Sequence, residues 1–215
     1  MLLFSNPHPE SVETGLFMSE TNSRQFWKTL RCIGHLGMTH NFRWHHQGVL
    51  DTVSVLLNGA YGDDSSPLLF FECLYPVPSK SPKDLKRLLA DIDDFERYLH
   101  GPSLERISSI LTDHNIKVVL IFTGETFESI VSKPGVSRHS RQILCDAVKT
   151  GNERAFWERM DKHELRSPAH LPSLKHECTA IKVMDTRAKN WWEFEGRPVF
   201  SHVLGHALRY AAQVG

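Results

Sequence analysis

Residues 116–123, Ile-Lys-Val-Val-Leu-Ile-Phe-Thr, form a short continuous apolar run closed by Gly124. The run is far below the roughly 18 residues a membrane helix needs, and its composition fits a strand covered on both faces. Such a strand requires neighbours in its own sheet and helices above and below it. The rest of the chain has to supply both.

The flanks carry the patterns for this. Ser81-Pro82-Lys83-Asp84 reads as an N-cap, a proline at the first helical position and an acid in the first turn. Leu85, Leu88, Leu89, Ile92, Phe95 and Leu99 then keep a helical stripe that His100-Gly101-Pro102 is expected to stop. Ser103 is the expected cap of a second helix, with Leu104, Ile107, Ile110 and Leu111 on its apolar side. Upstream, Phe26, Trp27, Leu30 and Ile33 predict a helix near 22–33. Val49–Asn58 and Pro67–Tyr75 read as two antiparallel strands joined by a polar loop.

Downstream the sequence predicts a short helix at 125–132, a break at Lys133-Pro134-Gly135, and helices near 137–149 and 152–164. A loop with Pro168 and Pro172 comes next over 165–176, then a strand at Cys178–Met184 and a closing helix at Val199–Gln213. This order predicts an α/β domain over residues 21–215, a mixed central sheet flanked by helices. Residues 1–20 are rich in Ser, Pro and Glu, show no period, and read as a flexible or docked N-terminal arm without the features of a signal leader.

Lys+Arg total 25 and Asp+Glu 25, so no long-range field attracts a nucleic acid or a membrane surface, and any such binding must be local. With 40% hydrophobic and 23% charged residues, collagen-like, low-complexity and disordered classes are excluded. Cys32, Cys73, Cys145 and Cys178 are far apart and form no Cys-x-x-Cys. They read as free buried thiols in a reducing, intracellular setting, cytoplasm or nucleus. P-loop, dinucleotide-binding and hydrolase-elbow motifs are absent from the sequence.

Two acids on the expected strand pair invite chemistry. Asp51 shares a face with Val49 and Val53, and Glu72 with Leu68, Phe70 and Leu74. Acids among apolar neighbours need a partner. If they converge, a divalent cation relieves their repulsion and acidifies a water; otherwise one caps a strand end or pairs with a lysine or arginine. His202 and His206, at i and i+4, read either as zinc ligands or as packed or freely titrating histidines. Arg138, His139 and Arg141 open a helix where they either hold phosphates or merely face solvent. His45-His46 beside Trp44 and Arg43 either border the site or form a turn.

Gly48-Val49-Leu50-Asp51-Thr52-Val53 and Leu68-Leu69-Phe70-Phe71-Glu72-Cys73-Leu74, succeeded by the helix at 83–99 and the strand at 118–122, resemble the restriction-endonuclease-like superfamily, the PD-(D/E)XK nucleases. The resemblance rests on order and pattern across residues 22–150. It implies a restriction-endonuclease-like core, Asp51 and Glu72 as ligands of Mg²⁺ or Mn²⁺, and hydrolysis of a nucleic-acid phosphodiester. The family's lysine position is held by Leu74, so the resemblance leaves either a relocated lysine, with Lys80, Lys83 and Lys86 as candidates, or a lost active site. In the second case the chain is an inactive scaffold or protein-interaction module, with Trp191-Trp192 as a partner anchor. No membrane partner is expected.

Overall fold

The central apolar run is strand β3, Val118–Ile121, and all four of its side chains are buried. The computed structural model describes residues 1–14, 69–79, 84, 87, 95–184, 193–194 and 197–214. Around β3 lie β1 (Leu2–Phe4), β2 (Phe71–Cys73), β4 (Arg166–Pro168) and β5 (Thr179–Lys182). They form one sheet in the order β2-β1-β3-β5-β4. Only β4 is antiparallel to its neighbour; the other pairings are parallel. A separate antiparallel pair, β6 (Glu193–Phe194) and β7 (Arg197–Pro198), leads into the last helix.

The helices described from end to end are α1 (Pro9–Thr14), α2 (Gly101–Asp113), α3 (Gly124–Val131), α4 (Ser140–Val148), α5 (Glu153–Lys162) and α6 (Val199–Val214). The architecture is thus mixed α/β, as the alternation of patterns predicts. Ile107 and Leu111 of α2, Phe127 and Ile130 of α3, Leu144 of α4, Phe156 of α5 and Leu204 of α6 are essentially inaccessible. Among the described residues no helix is long and apolar enough to cross a membrane. Cys73, Cys145 and Cys178 are buried, and burial pushes the Cys178 thiol up to about 11. Cys32 lies outside the described residues.

The largest departure from expectation is at the start of the chain. Leu2–Phe4 is not an arm but an inner strand, paired on both sides, with Leu2 opposite Phe71 and Leu120. Leu74 N–H donates to Phe4 O at 2.7 Å and Phe122 N–H to Leu3 O at 3.2 Å. Three residues are too few to carry a period, so the strand is invisible to pattern reading. Its burial is complete nonetheless: Leu2 is 1% exposed and Leu3 0%.

Two further expectations change. His100-Gly101-Pro102 does not separate two helices, because a π-helical turn, Glu96–His100, runs directly into α2 with His100 itself helical at φ −68°, ψ −54°. Pro102 lies at the start of α2, where its missing N–H costs little, and Ser103 is buried within the helix rather than capping it. Part of the expected loop at 165–176 is β4, with Pro168 tolerated because the strand is at the sheet's edge. Of the expected stripe, Phe95 and Leu99 pack against the core, as does the strand Val118–Phe122. Leu85, Leu88, Leu89 and Ile92, the helix near 22–33 and the strand at 49–58 lie outside the described residues.

Candidate functional site

Of the residues that the nuclease resemblance assigns to the site, Glu72 alone is described; Asp51, Lys80, Lys83 and Lys86 lie outside the described residues, as do His45, His46, Trp191 and Trp192. Glu72 stands in the middle of β2 with its side chain 25% exposed. Its Oε2 is 3.1 Å from Arg106 Nη1, and its Oε1 accepts the Cys73 N–H at 2.7 Å. Arg106, from α2, also donates to Cys73 O at 2.5 Å and Leu74 O at 3.2 Å. The guanidinium therefore ties α2 to the end of β2 and neutralises the acid. Leu74, at the position of the family's lysine, is fully buried.

The described residues do not by themselves fit a divalent ion. No group of three or more His, Cys, Asp or Glu side chains among them could hold one, and Arg106 already occupies one oxygen of Glu72. Zinc at His202 and His206 finds no third ligand there either. His206 stacks on Phe156 with ring centroids 4.4 Å apart, and its Nδ1 accepts from Arg209 Nη2 at 2.8 Å.

Burial first, then Arg209 and His202, lowers the His206 pKa below its usual 6.5, with Glu153 opposing the shift. The unfolded chain then binds more protons than the folded one just below pH 6.5, so stability falls as the solution is acidified through that range. Comparing urea midpoints at pH 7.5 and pH 5, His206→Phe is expected to lose part of the wild-type acid sensitivity while keeping the stack on Phe156. An unchanged pH dependence would remove His206 as its source.

The four parallel strands place their carboxyl ends on one edge of the sheet. The chain leaves β1 for β2 on one side, then returns to β3 on the other side of β1. Winding reverses between β1 and β3, and in open α/β sheets a ligand crevice forms outside the carboxyl ends at such a reversal. The residues just past the ends of β1 and β3 therefore matter most.

After β1 come Ser5, nearly inaccessible, and Asn6, whose Nδ2 donates to Ser79 O at 2.7 Å and Ser79 Oγ at 2.8 Å. After β3 come Phe122, whose ring lies 4.2 Å from that of Phe4 and nearly parallel to it, then Thr123 and the amino end of α3. Thr123 Oγ1 donates to Thr126 Oγ1 at 2.7 Å and makes no cap to the backbone, leaving the first N–H groups of α3 without that partner. Gly124 packs so closely on Ser137 that a Cβ there would lie 2.5 Å from Ser137 Oγ. Arg138 is next to Ser137 in the chain, and Arg138, His139 and Arg141 are all exposed.

An open cleft of about 650 Å³ lies at the opposite edge, between Pro168 and Thr179. Of its polar side chains, His170, Lys175 and Glu177 are exposed, and His176 is half-buried with Nε2 2.9 Å from Ile116 O. Asn6, Arg106, Thr123 and Gly124 were not singled out by motif. The available signal was Asn6-Pro7 after three apolar residues, and Thr123-Gly124 between an apolar strand and a helix.

Comparison of the chain with protein-family models, with curated proteins and with solved structures finds no match.

Proposed function

We propose that the carboxyl edge of the parallel strands is the working face and that it binds nucleic acid through the phosphates. The observation that carries this reading is the reversal of winding between β1 and β3, with the amino end of α3 at that point. Backbone N–H groups and the helix dipole favour an anion at such a place. Exposed Arg138, which follows Ser137 in the chain, and exposed Arg141 add positive charge locally in a chain whose net charge is zero.

The test is fluorescence anisotropy with single- and double-stranded DNA and RNA oligonucleotides between low and moderate salt. Affinity is expected to fall with salt, with a slope of about 0.7–0.9 per phosphate neutralised. Arg138→Ala with Arg141→Ala is expected to reduce that slope by about 1–2. Absence of binding to any of the four substrates, or a double variant indistinguishable from wild type, overturns the reading and leaves the inactive scaffold as the alternative.

Cleavage aided by Mg²⁺ or Mn²⁺ at Asp51 and Glu72, within a restriction-endonuclease-like core, is the second reading. The observation in its favour is that the Glu72 side chain is a quarter exposed, so its ion pair with Arg106 is open to exchange. It requires metal-dependent cutting of an oligonucleotide that chelator stops and Glu72→Ala abolishes. No cutting at millimolar metal would end it.

A further inference from the structure

The residues that link α3 to α4 fold back onto α3 around one of its own side chains. Ser132 closes α3 in the left-handed conformation at φ 53°, and Gly135, at φ 78°, turns the chain again where any Cβ would be strained. Glu128 Oε1 accepts the Ser137 N–H at 3.2 Å and the Ser137 hydroxyl, with the Gly135 backbone as a further donor to the carboxylate. Backbone N–H groups gathered by such a turn are an anion-binding nest, and here the protein itself supplies the anion. Main-chain bonds hold the turn independently of that carboxylate: Lys133 N–H donates to Glu128 O at 3.1 Å, Arg138 N–H to Gly135 O at 3.1 Å and Ser140 N–H to Ser137 O at 3.0 Å. The close approach of Ser137 Oγ to Gly124 sets the nest against the first turn of α3.

We infer that the turn 135–138 is a phosphate nest and that Glu128 is its built-in plug, an autoinhibitory contact at the nucleic-acid site proposed above, on which the identity of the ligand rests. Glu128 Oε1 stands where a phosphate oxygen would sit and takes the donors such an oxygen needs. Burial works against ionisation of Glu128, yet the bonds from Ser137 and Gly135 and the charge of Arg138 outweigh it, so the plug is an anion at neutral pH. Two anions cannot share the nest, and the ligand must therefore displace the carboxylate. The Glu128 side chain is half-buried and flexible, which leaves it free to swing toward solvent. Apparent affinity is then reduced by the fraction of time for which the plug is out.

Glu128→Ala empties the nest and leaves the main-chain bonds of the turn. Affinity for inorganic phosphate, measured by isothermal titration calorimetry, is expected to tighten about tenfold, as for a plug in place about nine-tenths of the time. Oligonucleotide affinity is expected to rise by a similar factor, and its salt slope by about 1, for the one phosphate gained. Ser137→Ala in the Glu128→Ala background removes a nest donor and should cancel most of the gain. A gain that survives Ser137→Ala would mean that only the loss of a negative charge matters, and would overturn the inference. Phosphate affinity unchanged or weakened in Glu128→Ala, the result for a residue that merely braces the turn, would overturn it too. Glu128→Gln keeps an acceptor for Ser137 and drops the charge; it carries the same measurements if the alanine variant does not fold, and is expected to lie between that variant and wild type. The two readings fail separately: tighter phosphate binding in Glu128→Ala, with no oligonucleotide bound by either protein, refutes the nucleic-acid site and leaves the plugged nest standing.

Discussion

Leu3→Asp unfolds the protein at neutral pH. Leu3 is fully buried in the middle of β1, between β2 and β3, with Glu72 and Ile121 as its register partners. Removing a buried leucine costs about 2–5 kcal/mol, and an unpaired carboxylate in its place costs several more. A domain is stable by only about 5–15 kcal/mol, so the sum removes most or all of it. Circular dichroism at 25 °C should show lost structure, partly regained near pH 4 as the carboxyl group becomes neutral. Val12→Asp is the control: that side chain is 53% exposed on α1 and its change should matter by no more than about 0.5 kcal/mol. A Leu3→Asp protein that melts as wild type would mean that residues 2–4 are a flexible arm, one of the two readings their sequence allows.

The contrast between Leu2–Phe4 and Val118–Ile121 marks how far the sequence could be read. Both are inner strands of one sheet, but the second is long enough to be recognised as an apolar run, while the first is three residues ahead of a polar stretch. Helices behaved similarly. The α6 stripe and the α4 and α5 pair were legible to within three residues, since each buries one face over several turns. Gly101-Pro102 misled because proline ends a helix only when its missing N–H and its ring meet a preceding regular turn; here the preceding turn is π-helical.

The candidate site was less legible for a different reason. Glu72 was conspicuous as an acid in an apolar strand, but its partner Arg106 lies 34 positions on, in a helix face that periodicity reads only as polar. Asn6, Thr123 and Gly124 become neighbours of one edge only through the parallel pairing of β1 with β3. That pairing has no local signature. Glu128 is the extreme case, since an acid inside a helix gives no hint that a turn nine positions on closes around it.

Gly124→Val is the substitution that separates the proposed site from the fold around it. The new Cβ would lie 2.5 Å from Ser137 Oγ and 3.3 Å from Ser137 Cβ, so one side must move. Ser137 is poorly free to do so, because its hydroxyl donates to Glu128 Oε1 and its N–H donates to the same oxygen at 3.2 Å. Burial alone would raise the Glu128 carboxyl, yet these bonds, with Gly135 and Arg138, hold it below its usual range. Displacing Ser137 therefore loses that arrangement along with the contact, for about 1–3 kcal/mol of overpacking. It also shifts Arg138, the next residue in the chain, and under the proposed function oligonucleotide affinity should fall about tenfold or more, comparable to losing a charged hydrogen bond. Urea denaturation and anisotropy on the same samples measure the two effects. The decisive comparison is Gly124→Ala with Ser137→Gly. Removing the opposing side chain makes room for the methyl group, so the double variant should be more stable than the sum of its singles by about 1 kcal/mol. Strict additivity would show that Gly124 and Ser137 do not touch, and the link from Arg138 to α3 through Ser137 would be lost with that contact.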